Sequence, residues 1–170
     1  MIRLAAILAL CFLAIGCGGR KPEYQASGQP KAKFELRAAS TQPVEDWQAV
    51  TLEGDKEEQL FLSPEVALSN SDVASTGVEN STDGPPTWQV NVWLNDAGKL
   101  KLAKLSKELV EPASEGRRPT KRVALLLDGK VVFAPSVRSE ITNGRFQFEP
   151  HSGSYSEAEA RTIAKSIVGP

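Results

Sequence analysis

The chain has 170 residues, with 20 Lys and Arg against 21 Asp and Glu for a formal net charge of −1, and one histidine. That balance, with cations in scattered pairs such as Arg117-Arg118 and Lys121-Arg122, excludes the basic stripe of a nucleic-acid binder. Both cysteines, Cys11 and Cys17, fall near the start, so a domain built from the rest of the chain has no disulfide and stands on its hydrophobic core.

In chain order, Arg3 precedes an apolar run that ends in Leu13-Ala14-Ile15-Gly16-Cys17, the order of parts in a bacterial lipoprotein signal. The run is shorter than the ~20 apolar residues that cross a bilayer. The expectation is cleavage between Gly16 and Cys17, a diacylglyceryl group on the Cys17 sulfur and acylation of the new amino terminus. Each buried methylene contributes about 0.8 kcal/mol, so two or three chains hold the protein stably to the membrane through Cys17. The expected location is the bacterial cell envelope, on the extracytoplasmic side of a membrane. Residues 1–16 are then signal peptide, and residues 17–32, rich in Gly, Pro, Ser and Gln, read as the lipidated cysteine and a flexible tether.

From Lys33 to Ala39, Phe34 and Leu36 alternate with charged residues, as in a half-buried strand. Trp47 to Leu52 and Gln59 to Leu62 are further strands around an acidic turn holding Asp55, Glu57 and Glu58. Ser69 to Asp72 reads as a cap or turn before a short helical piece or bend near Val73, and Asn80 to Pro86 as a loop. Trp88, Val90, Val92 and Leu94 mark a strand. Asn95 caps a helix from Asp96 toward Val110 with Leu102, Leu105 and Leu109 on one face, and a loop runs from Glu111 to Thr120. Val123 to Leu127 is apolar on both faces and therefore central, and Asp128-Gly129 turns it into Val131 to Phe133. A second hairpin is expected from Val137 to Thr142, through Asn143-Gly144, into Arg145 to Glu149. Ser156 and Glu159 form a capping box that opens the last helix, whose buried stripe is Ala160, Ile163, Ala164 and Ile167. The sum is an α+β single domain over residues 33–170, an antiparallel sheet with two helices on one face.

The stretch from Trp88 to Ile167 resembles the head subdomain of the first periplasmic domain of the SecD (SecDF) protein-export subunit. The resemblance is carried by Leu94-Asn95-Asp96-Ala97-Gly98, by Lys121-Arg122 with Val123 to Leu127, by Asp128-Gly129 and Ala134-Pro135, by Ile141 with Asn143-Gly144, and by Tyr155-Ser156-Glu157-Ala158. Phe34-Glu35-Leu36-Arg37 is similar to the family's opening strand. Thr120 stands where the family usually has glycine, and Phe133 where it has a small polar residue. The family's membrane subunit couples proton flow to movement of its head, whereas this sequence has no second apolar segment of ~20 residues, so the resemblance implies binding without that coupling.

No catalytic residues are expected. His151, the one histidine, sits in a loop, and neither a serine-histidine or cysteine-histidine pair nor a zinc ligand set can be assembled. No cofactor or metal is implied, and lipidation at Cys17 is the one modified site. The resemblance implies a non-catalytic module that binds unfolded secretory polypeptide or the Sec translocon and assists export, an exposed sheet edge taking a peptide strand beside Trp93 or Phe133. The alternative is an envelope structural or protein-interaction lipoprotein unrelated to secretion.

Overall fold

The computed structural model describes residues 23–52, 57–81, 87–110, 122–150 and 153–169. Its strands are β1 (Tyr24–Gln25), β2 (Phe34–Ser40), β3 (Gln48–Leu52), β4 (Glu58–Leu62), β5 (Leu68–Ser69), β6 (Val73–Asn80), β7 (Trp88–Leu94), β8 (Arg122–Leu127), β9 (Lys130–Phe133) and β10 (Arg145–Phe148). A 3₁₀ turn spans Asn70–Asp72, and the helices are α1 (Asp96–Val110) and α2 (Glu157–Val168). The α+β class with two helices stands, but the strands are shared between two antiparallel sheets. One has the order β1-β6-β7-β10, and the other the order β3-β4-β2-β8-β9 with β5 alongside β2.

The main core lies between the inner faces of the two sheets and the helices. Thr76 Oγ1 donates 2.8 Å to the Ala164 carbonyl of α2, and Thr76 pairs with Val92, so the face carrying Val78, Val90, Val92 and Phe148 looks toward α2. Phe34 and Leu36 of β2 and Val123 and Leu125 of β8 close the other side, with the Phe34 ring stacked on Phe146 at 6.2 Å. A second cluster, Ala39, Leu52, Leu60, Leu62, Ala124, Leu126 and Ala134, occupies the opposite face of the six-stranded sheet. The sheet can cover that face itself because it curls until its edge strands β3 and β9 touch.

Curling corrects the reading of β2 as half-buried. Its charged face is also interior, and Glu35 is only 4% exposed. The carboxylate keeps its charge because Lys33 Nζ lies 2.5 Å and Arg37 Nη2 2.7 Å away. Burial works to raise its pKa, but hydrogen bonds and charge from Lys33 and Arg37 outweigh it and hold the group below the usual carboxylate value. Glu58, from the expected acidic turn, pairs with Arg122 at 2.8 Å; Asp55 lies outside the described residues.

Local signals that need only neighbouring residues fold as expected. Asp128 (φ 51°) and Gly129 (φ 81°) make the tight turn between β8 and β9. Asn95 Oδ1 accepts from Gly98 N at 2.9 Å, and Ser156 N donates 2.8 Å to Glu159 Oε2 in the capping box, which also holds the Glu159 carboxyl below its usual pKa.

Three readings change. Val137 to Thr142 is not a strand. Val137 turns into the core, Ile141 N donates to Ser106 Oγ of α1 at 2.8 Å, and the segment crosses from one sheet to the other. Consequently Asn143-Gly144 does not join a hairpin, and β10 pairs with β7. Second, the cap at Ser69 and the short helical piece stand, as the 3₁₀ turn Asn70–Asp72, but a full strand, β6, begins at Val73 where the sequence suggested none. A bulge between Val73 and Ser75 breaks its alternation, and Gly77 interrupts it because the Trp93 ring crosses there, 3.2 Å from where a Cβ would stand. Third, the tether is docked from Glu23 onward. Tyr24 and Gln25 pair with Thr76 and Ser75, Lys31 N and Ala32 N both donate to the Ser166 carbonyl, and Gly169 packs on Gly28 and Gln29.

Candidate polypeptide-binding edge

The four-stranded sheet has two edges with different surroundings. At one, the two-residue β1 pairs with Ser75 and Thr76 of β6. At the other, no described strand pairs with the outer side of β10. Leu94 N donates 2.9 Å to the Gly144 carbonyl, which fixes the hydrogen-bonding phase of the β7–β10 ladder. Alternation along an antiparallel pair then turns Phe146 and Phe148 toward β7 and points the backbone groups of Arg145 and Gln147 outward. The Arg145 N–H is taken locally by Asn143 Oδ1 at 3.1 Å. The Arg145 carbonyl and both backbone groups of Gln147 therefore face the open edge.

Beside this edge is a partly open cleft of about 290 Å³. Its lining includes Leu36, Val123 and Leu125 from the six-stranded sheet, Phe133 from the end of β9, Leu102 from α1, and Pro135, Val137 and Ile141 from the segment that follows β9. Phe146 and Gln147 bring β10 itself to the rim, so outward backbone groups and an apolar recess share one border. The volume is at the lower end of small-molecule pockets (~300–1,000 Å³), which suits individual apolar side chains from an extended chain.

Of the two aromatics expected at such an edge, Phe133 lines the cleft. Trp93 does not. It lies on the other face of the sheet, against Gly77, with the Arg145 guanidinium 5.1 Å from its ring centroid. Arg145 also donates 2.9 Å to the buried Asn91 Oδ1, so this face is a self-satisfied polar and aromatic network. The sequence pattern pairs β10 with the segment just before it, whereas β10 pairs with β7, so the edge strand and the crossing segment come together as one site only in the folded chain. The available signal was Pro135: a proline soon after a strand, before a mixed polar stretch, disfavours an immediate return strand. Among the described residues no group of three or more His, Cys, Asp or Glu could hold a metal ion. Cys17 and His151 lie outside the described residues.

The SecDF P1 head subdomain family model matches residues 41–169. The chain belongs to this family. Two solved structures share the fold of this P1 head. A structure described as that of the membrane component SecDF that enhances protein export has a TM-score of 0.58 at 21% identity, over 88% of this chain and 78% of that one. SecDF in a super-membrane-facing form has a TM-score of 0.53 at 20% identity, over 82% of this chain. The P1 head chain spans 18% of the length of that SecDF. No curated protein matches it. No helix among the described residues is long and apolar enough to cross a membrane.

Proposed function

We propose that this P1 head is a non-catalytic polypeptide-binding module, held on the extracytoplasmic side of a bacterial membrane by lipid on Cys17, and that it assists protein export by engaging secretory chains or the Sec translocon. The observation that carries the reading is the open edge of β10 beside an apolar cleft. An extended chain adds a strand there through the Arg145 carbonyl and the Gln147 N–H and carbonyl, and alternate apolar side chains enter the cleft against Phe133 and Val137. Family membership supports the export context, and the name of the structurally similar SecDF, which enhances protein export, agrees with it.

The test is binding of an unfolded secretory polypeptide by the purified chain. Gln147→Pro removes one outward N–H and is expected to weaken binding about tenfold, and Phe133→Glu, which puts a charge in the cleft, by a similar factor or more. Unchanged binding in both variants, or co-purification from membranes with unrelated envelope proteins alone, favours the structural lipoprotein reading. The anchor is tested separately: Cys17→Ser is expected to abolish palmitate incorporation and leave the protein unprocessed or soluble.

A further inference from the structure

The docked segment that follows Cys17 bears on how the head sits at a membrane. Glu23 N donates 3.1 Å to the Thr76 carbonyl and Ala26 N 2.9 Å to the Ala74 carbonyl, continuing the pairing of β1 with β6. Side chains latch the same segment to α2. Arg161 Nη1 lies 2.7 Å from Glu23 Oε2 and 2.9 Å from the Tyr24 hydroxyl, and Lys165 Nζ stands 5.3 Å from the Tyr24 ring centroid. Arg161 is itself steadied by Glu157 at 2.8 Å.

Docking shortens the link between lipid and domain. Five residues separate Cys17 from Glu23, so six Cα steps of ~3.3–3.6 Å limit the distance to about 20 Å. A tether free as far as Lys33 would allow sixteen steps, about 55 Å at most, and would leave the domain free to turn. The attachment point is also off-centre: β1 is one edge of the sheet and β10 the other, three strand spacings of ~4.8 Å away.

We propose that the lipid-anchored chain favours one orientation on the bilayer, with the β1 edge and the amino-terminal end of α2 toward the lipid and the β10 edge with its cleft away from it. This rests on the lipid reading of Cys17. Its consequence is that the open edge is presented to polypeptide beyond the headgroups, while the edge nearest the membrane is paired over Ala74 to Thr76 with the chain's own strap.

The experiment places the lipidated full chain in nanodiscs containing a gadolinium-chelate lipid and measures amide paramagnetic relaxation residue by residue. Enhancement is expected to be several-fold larger at Tyr24, Gln25 and Ala158 than at Ser139, Glu140 and Gln147. In Tyr24→Ala/Arg161→Ala, and in the milder Glu23→Lys, the two sets should converge as the latch is released. Equal enhancement in the unaltered, lipidated chain overturns the orientation and leaves the anchor standing. Persistent asymmetry in both variants overturns the role of the latch. Absence of a lipid thioether on Cys17 by mass spectrometry removes the anchor, and the orientation with it.

Discussion

The two edges of the four-stranded sheet carry the same backbone chemistry and opposite treatment. At the β6 edge, outward carbonyls of Ala74 and Thr76 are met by the chain's own amino-terminal strap. At the β10 edge, Gln147 faces outward beside an apolar cleft. An uncovered edge invites pairing with another chain, so proteins usually blunt it. Here one edge is met over Ala74 to Thr76 by a short strand with an ion pair behind it, and the edge with no partner among the described strands is the one with a recess for side chains. The difference gives one margin a structural role and supports the proposed binding role of the other.

The largest effect is expected where the strapped side meets the core. Ile167 is fully buried on α2, and Ile167→Ala should cost about 3 kcal/mol and lower the melting temperature by roughly 10 °C, read by calorimetry. A melting temperature within a degree of wild type would mean that α2 does not clamp this side of the sheet.

Next comes Glu35, which belongs to neither edge and tests whether the six-stranded sheet is closed independently of them. Its pKa is lowered on folding, so its stabilisation is complete above the ordinary carboxylate pKa of ~4.3 and is lost as pH falls through the depressed folded value. Glu35→Gln should cost about 2–3 kcal/mol at pH 7, because Arg37 is left partly buried without its carboxylate, and should flatten stability across that acid window. Chemical denaturation at pH 3 and pH 7 separates the two forms. An equal difference between wild type and variant at both values would remove the ion pair from the account.

Smaller again is the cost of Gln147→Pro to the fold, expected within about 1 kcal/mol because its N–H is outside the ladder, alongside the loss of peptide affinity. A much larger loss of stability would show that the β10 edge is covered after all. The smallest effect is that of Arg161→Ala, whose partners Glu23 and Glu157 lie at the surface and whose partner Tyr24 is half-buried. Its melting temperature should be indistinguishable from wild type, while hydrogen exchange at Glu23 and Ala26, whose amides bond to β6, accelerates.

Several elements were legible because their signals are short-range. The Asp128-Gly129 turn, the Asn95 cap, the Ser156–Glu159 box and the leucine face of α1 each depend on residues within a turn or two. The family resemblance was legible for the same reason, since those motifs lie in order along the chain. The candidate edge was half legible: Phe133 could be named, but Trp93 could not be told apart from it, because both are single aromatics in apolar strands.

What the sequence by itself determined is the α+β class, both helices, the Asp128-Gly129 hairpin and the strand assignments of β2, β3, β4 and β7, since periodicity, capping and turn chemistry are local. Tertiary structure alone decided that β10 leaves its neighbour in sequence to join β7, that β2 buries its charged face, and that Glu23 to Ala32 is a docked strap. Each depends on surface supplied from far along the chain: Val90 and Val92 for Phe146 and Phe148, Leu52 and Leu60 for the second face of the curled sheet, and Arg161 and Ser166 for the strap. A backbone donor or an apolar face is satisfied by whichever partner the closed fold brings nearest, and local spacing does not encode that choice.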